Sequence, residues 1–240
     1  MNILKIDGTA LTGIYVDASQ SFNKPEKNVS TFAIPGRNGD LIIDEGTFKN
    51  VLITYPCYIP GSFESTFATL VNKLGALEGY HKIECSNDSA HFRMGRAIIP
   101  QAPAVKRLNK DGWFNLSFDC KPQRFLNSGL TGVTFSAAGT ISNPTKFPSR
   151  PTIHVGRLLP DATIGDTIIA QTTRASGGIS IIDSERMECY ESGGGSLNDK
   201  FSFNPNEFPV LKPGSNTVDS TLISGADTNH IIIYPNWWEL

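Results

Sequence analysis

Short runs in which apolar and polar residues alternate, or in which apolar residues stand together, recur along most of this chain. The first half offers Ile3–Ile6, Gly13–Val16, Thr31–Ile34, Asp40–Ile43 and Val51–Tyr55, then Lys82–Cys85, His91–Ile99 and Trp113–Cys120. Most are bounded by Gly, Pro, Asn or Asp, which supply the backbone angles that turns need. In the last run Trp113, Leu116, Phe118 and Cys120 are interleaved with Asn115, Ser117 and Asp119, which predicts a half-buried strand with one wet face. One stretch changes period. Phe63, Phe67, Leu70, Val71, Leu74 and Leu77 recur at spacings of three and four, which predicts an amphipathic helix over about 62–79. Ser62 is the expected N-cap and Gly79 the expected left-handed stop. Gln101 to Gly112 reads as a connection.

From Leu126 to Arg150, Ser, Gly, Thr and Ala dominate, and a domain junction is expected there. Beyond it no helix is predicted. Pro151–Val155, Thr163–Ile169, Gly178–Ile182, Arg186–Tyr190, Thr217–Ile223 and His230–Tyr234 read as strands at regular spacing, the pattern of a sandwich or jelly roll. Gly193-Gly194-Gly195 reads as a loop tip. The fold class is therefore mainly β with one helix, in two domains: 1–130, β-rich with the helix, and 140–240, a β-sandwich.

Charge changes this picture little. The net is −2 over 240 residues. Residues 1–127 carry 14 Lys+Arg against 12 Asp+Glu, and the remainder 7 against 11. Neither half has the basic stripe that nucleic-acid binding needs. Asp7 and Gly8 interrupt the apolar core that a signal peptide requires, and no run approaches a membrane span. The expectation is a protein made and kept in a cytoplasm unless it leaves inside a larger particle.

Candidate chemistry is sparse. Cys57, Cys85, Cys120 and Cys189 lack zinc or redox spacing and read chiefly as small apolar residues, with one disulfide as the alternative. His81, His91, His154 and His230 are scattered, so no metal or cofactor is expected. Gly178-Ile179-Ser180-Ile181-Ile182 lacks the closing glycine of a nucleophile elbow. Asp183, Glu185 and Glu188 around Arg186 fit a charged hairpin edge. No catalytic residue is assigned, and the chain is not expected to be an enzyme. Trp237-Trp238 leaves three readings open: packing into the chain's own core, a protein interface, or a platform for a sugar ring.

The order of several weak motifs carries a resemblance. Pro35-Gly36-Arg37-Asn38-Gly39 precedes the apolar Leu41-Ile42-Ile43, and a helix follows at Phe63–Leu77. Lys121-Pro122-Gln123-Arg124-Phe125 closes the first half; Asn143-Pro144 and Pro151 open the second, which carries Leu211-Lys212-Pro213-Gly214-Ser215-Asn216. In these motifs the chain resembles the distal tail protein family of long, non-contractile-tailed bacteriophages (siphoviruses).

The resemblance implies a structural baseplate-hub protein of the virion tail tip, assembled in the bacterial host cytoplasm. Its first (belt) domains would form a homohexamer ring through which DNA passes without being read. Its partners would be copies of itself, the tail tube protein, the tail-associated hub protein and, through an outward galectin-like second domain, a receptor-binding protein in host attachment. No sequence-specific nucleic acid, membrane or cofactor is implied. Galectins hold sugar with a His-x-Asn-x-Arg constellation that this sequence lacks; a carbohydrate-binding module for bacterial surface saccharide is the alternative function. Arg37, Trp237 and Trp238 are the candidate subunit or partner contacts. A head-to-tail ring needs two different complementary patches on each copy.

Overall fold

The computed structural model describes residues 2–16, 23–101, 110–156, 162–172, 178–220 and 231–240. The chain divides into two compact units, Met1–Arg124 with Leu240, and Phe125–Glu239.

The first unit runs β1 (Leu4–Ile6), β2 (Thr9–Ala10), β3 (Tyr15–Val16), β4 (Lys27–Phe32), β5 (Leu41–Phe48), β6 (Val51–Ile59), α1 (Phe63–Gly75), β7 (His81–Cys85), β8 (His91–Ile98) and β9 (Gly112–Leu126), the last crossing into the second unit. Seven of these strands run through one sheet in the order β2-β1-β7-β8-β9-β6-β3. Period-two alternation sets its faces. Val51, Ile53, Tyr55, Cys57 and Ile59 of β6 are buried alongside Phe114, Leu116, Phe118 and Cys120 of β9. Helix α1 covers that face: Phe63, Leu70 and Leu74 join the same core, and the Phe67 ring meets Phe114 edge-on at 5.2 Å. Each such side chain contributes about 1.5–3 kcal/mol on burial.

Three local expectations are corrected. Trp113 lies on the wet face, 59% exposed. It shares parity with Asn115, Ser117 and Asp119, whereas Phe114 takes the inward position. Ser62 occupies the N-cap position without a side-chain cap bond; the Ser65 hydroxyl donates to the Ser62 carbonyl instead. Gly79 is left-handed, at φ 78°, but α1 has already ended, with Ala76 as its right-handed cap.

The second unit contains β10 (Val133–Phe135), β11 (Gly139–Asn143), β12 (Thr152–Val155), β13 (Ala162–Ile164), β14 (Thr167–Gln171), β15 (Ser180–Asp183), β16 (Glu188–Glu191), β17 (Phe201–Asn204), β18 (Gly214–Ser220), β19 (Ile231–Tyr234) and β20 (Trp238–Glu239). Ten of these form two five-stranded sheets, ordered β10-β19-β12-β15-β16 and β11-β18-β13-β14-β17. Ile153, Ile182 and Ile233 of the first and Ile164, Ile169 and Val218 of the second are all fully buried in one core, so the sheets pack face to face as a sandwich.

The run expected as one strand over Thr163–Ile169 is a hairpin, β13 and β14, reversed at Gly165-Asp166. The stretch 126–150, where the junction is expected, carries β10 and β11. Strand β17 is not among the runs singled out in the sequence, although Phe201 and Phe203 alternate there with Ser202 and Asn204. His230 and Thr221–Ile223 lie outside the described residues.

Candidate assembly surface

Among the described residues strands β4 and β5 pair only with each other, as a separate two-stranded sheet. Phe32 pairs with Leu41, Thr31 with Ile42 and Ser30 with Ile43, so the Pro35–Gly39 turn is the tip of this hairpin. The Arg37 amide donates to the Ile34 carbonyl at 3.1 Å, closing a four-residue turn over Pro35-Gly36. Gly36 stands at φ 80°. Proline followed by a residue with positive φ is what a type II turn requires, so this motif is rigid backbone architecture. Arg37 itself is exposed at the tip.

Polar pairs brace the arm: Lys27 with Asp44 at 2.6 Å, Asn28 with Thr47 at 2.8 Å, and Ser30 with Glu45 at 3.0 Å. Its apolar residues have no comparable cover. Phe32 is 53% exposed, Ile43 49% and Leu41 40% on one face; Ile42 is 66% and Val29 45% on the other. A lone two-stranded hairpin is marginal in water. Apolar residues on both faces are the composition of a strand buried on both sides.

The wet face of the first unit's large sheet adds an aromatic pair. The rings of Tyr58 and Trp113 lie 4.8 Å apart. The Tyr58 hydroxyl donates to Asp111 Oδ2 at 2.8 Å, and Asp111 Oδ1 accepts the Gly61 amide at 2.6 Å. Those two bonds, the amide first, hold the Asp111 carboxyl below its ordinary range, and the bond to Asp111 raises the Tyr58 phenol. The sequence reading did not select this pair; the signal available was parity alone.

The other motifs tie backbone together. Arg124 of the Lys-Pro-x-Arg-aromatic run donates from Nε and Nη2 to Asp88 Oδ2 at 3.1 and 2.7 Å, while His91 Nδ1 meets Asp88 Oδ1 at 2.7 Å. Burial alone would raise the Asp88 carboxyl, yet these partners hold it below its ordinary value. Asn143, 3% exposed, donates to the carbonyls of Phe147 and Leu211 and accepts from Thr145. Asn216, 5% exposed, accepts the Lys212 amide at 2.8 Å and donates to the Lys212 and Gly214 carbonyls. The Leu-x-Pro-Gly-x-Asn run is therefore a loop closed by its own asparagine, with Leu211 anchored in the core.

Trp237 is buried in the sandwich core, and its carbonyl accepts the Leu126 amide at 2.8 Å. Trp238 stacks on Phe147 at 4.5 Å, and its indole nitrogen donates to the Pro148 carbonyl at 2.9 Å. His81 pairs with Asp7 at 2.7 Å, and His154 packs on Tyr234, where burial lowers its pKa. Asp183 accepts the amides of Glu185 and Arg186 in a turn, with Arg186 paired to Glu188 at 3.1 Å. All four cysteines are free and buried. Among the described residues no cluster of His, Cys, Asp or Glu could hold a metal, and no helix is long and apolar enough to cross a membrane.

Comparison with solved structures supplies the fold. The crystal structure of SPP1 Dit (gp 19.1), described as a paradigm of the hub adsorption apparatus in phages infecting Gram-positive hosts, matches over 97% of both chains, with a TM-score of 0.68 at 14% identity. The phage p2 baseplate in its activated conformation with Sr matches over 97% of this chain and 98% of that one, at TM-score 0.53 and 10% identity. The same baseplate with Ca gives 0.54 and 10% over 97% of each. No protein-family model and no curated protein matches the chain. The chain therefore has the fold of phage baseplate proteins of the Dit type, end to end.

Proposed function

We propose that this chain is a distal tail protein: a structural baseplate hub of a tailed phage whose first unit closes a homohexamer ring between the tail tube and the host-recognition apparatus. The observation that carries the reading is the β4–β5 arm, apolar on both faces and, among the described residues, paired with no other strand. Such a surface is stable in water when another chain covers it. Head-to-tail closure requires a second, different patch, and the exposed Trp113–Tyr58 pair is a suitable aromatic anchor on the same unit. The full-length likeness to baseplate proteins supports the same reading. DNA would pass the ring without being read, in keeping with the absence of a basic stripe. Arg37, at the arm's tip, is placed to meet a neighbour's carboxylate.

The partners on this reading are further copies of the chain, the tail tube protein and the tail-associated hub protein, with receptor-binding protein on a galectin-like second unit. The location is the virion tail tip, after assembly in the host cytoplasm. The chemistry is recognition and geometry rather than catalysis. Saccharide binding through Trp237 and Trp238 is not favoured, because one indole is core and a face of the other is taken by Phe147.

Light scattering after gel filtration of the full chain tests the reading. Six-chain particles are expected, or a monomer–oligomer equilibrium that added tube protein pulls toward the ring. A strict monomer at every concentration that also ignores tube and hub proteins would end it.

A further inference from the structure

The sheet face that carries Ile53, Tyr55 and Ile83 contains a second feature. A cavity of about 60 Å³ is lined by Tyr55, Asp88, His91, Arg93, Arg124 and Lys24, among apolar neighbours. Strand register explains how Arg93 enters it. Arg93 pairs with Ile83, which is 2% exposed, so its side chain projects onto the face that carries the core.

The charges in the cavity are unequally matched. Asp88 accepts from Arg124 through one oxygen and meets His91 through the other. Lys24 donates to the Leu240 backbone oxygen at 2.7 Å. Arg93 is left out of these pairings: its Nη1 is buried and has no hydrogen-bond partner. A buried guanidinium donor without an acceptor costs far more than an exposed one, and a native fold keeps such a group where something satisfies it. Carboxylates that could do so are scarce: among the described residues Asp88 is the one acidic residue lining the cavity, and it already holds two partners.

We propose that this cavity is a binding site for one small oxyanion, held by the Arg93 guanidinium with the Tyr55 hydroxyl beside it. Its volume of about 60 Å³ is small, which suits a phosphate, a sulfate or a carboxylate group. A planar guanidinium presents paired donors that match two oxygens of such a group. Bound there, the anion would link β8 to β6 and neutralise a charge that the sheet otherwise leaves uncompensated.

The test is thermal unfolding of the full chain titrated with phosphate, sulfate or acetate at constant ionic strength, with chloride as reference. Arg93→Met removes the donor, and Arg96→Met, an exposed arginine on the same strand, is the control. Phosphate and sulfate stabilise most proteins weakly and without saturation. The expected site-specific signal is a saturating rise above that background. At free anion about 100 times its Kd, the unfolding constant falls about 100-fold. Arg96→Met should keep this response and Arg93→Met should lose it. Saturation by acetate alone identifies the ligand as a carboxylate; saturation by phosphate or sulfate identifies a free tetrahedral anion. Should Arg93→Met fail to fold, Arg93→Lys is expected to bind about tenfold more weakly, the loss of one charge-assisted bond. Calorimetric titration of the parent chain measures the same site directly. A flat titration of the parent, or an Arg93→Met response equal to the parent's, overturns the proposal.

Discussion

Replacing Ile42 by Thr separates the two roles a surface strand can have. The substitution keeps β-branching, and with it strand propensity, while exchanging an ethyl group for a hydroxyl. Ile42 is 66% exposed within its own chain. Full burial of such a side chain is worth about 1.5–3 kcal/mol, so roughly two-thirds of that, about 1–2 kcal/mol, is still available to a neighbouring copy. A hydroxyl buried there without a partner costs about 1–3 kcal/mol more. The interface should therefore weaken by about 2–5 kcal/mol, which is about 30-fold or more in its dissociation constant. The isolated chain should change by no more than about 0.5 kcal/mol, because the position carries little of its own packing. Multi-angle light scattering across a concentration series, beside urea unfolding, reads both quantities. Parent and variant mass distributions that superimpose would refute the arm as an interface. A loss of monomer stability above about 1 kcal/mol would instead mean that the arm is packed within its own chain.

Asp88→Asn should cost about 1.5–3 kcal/mol at pH 7, since charge-assisted bonds from Arg124 and His91 depend on the carboxylate. Because the folded Asp88 carboxyl is held low, its contribution is present above the ordinary carboxylate range and lost as pH falls through the folded value, so parent and variant should converge only below about pH 4 in urea titrations. Ser62→Ala should change stability by less than about 0.3 kcal/mol, against the usual cap loss of about 1 kcal/mol, because no cap bond exists to be removed. Gly129→Ala would place a methyl 2.4 Å from the Trp237 amide nitrogen; a loss of at least about 2 kcal/mol is expected by calorimetry, and a neutral result would show that this loop yields freely. A disulfide reagent at pH 8 should leave the native chain unlabelled and react only after denaturation, since burial pushes the thiols of Cys57, Cys120 and Cys189 up to about 12.

Much of the architecture was legible because it rests on local periodicity. The three-and-four spacing from Phe63 to Leu77 specifies a helix whichever sheet it covers, and Phe63, Leu70 and Leu74 are the residues it buries. Alternation marked β6, β9 and most sandwich strands, although each strand's length depended on its partner. Val51–Tyr55 extends to Ile59 and Trp113–Cys120 to Leu126, because ladder bonds continue for as long as a neighbour supplies them. Phe201–Asn204 alternates apolar and polar residues over only four positions, too short a run to stand out, and its pairing with β14 makes it a strand.

The candidate surface was legible only in part. Leu41-Ile42-Ile43 could be read as an apolar strand, and Pro35–Gly39 as a turn, from φ preferences alone. That this strand pairs with β4 alone among the described residues is a tertiary fact, since only the completed fold shows which apolar faces were left over. The same applies in reverse to Trp237, for which core packing, a protein contact and a sugar platform were all open from the sequence and whose place is the core. Arg124 shows the third case: a basic residue in a short motif has no assigned partner in sequence, and the fold supplies Asp88, 36 residues earlier. Local chemistry determined which segments were helix, strand or turn. Tertiary structure decided which surfaces stayed uncovered and which charges met, because burial and pairing join residues that the linear chain holds far apart.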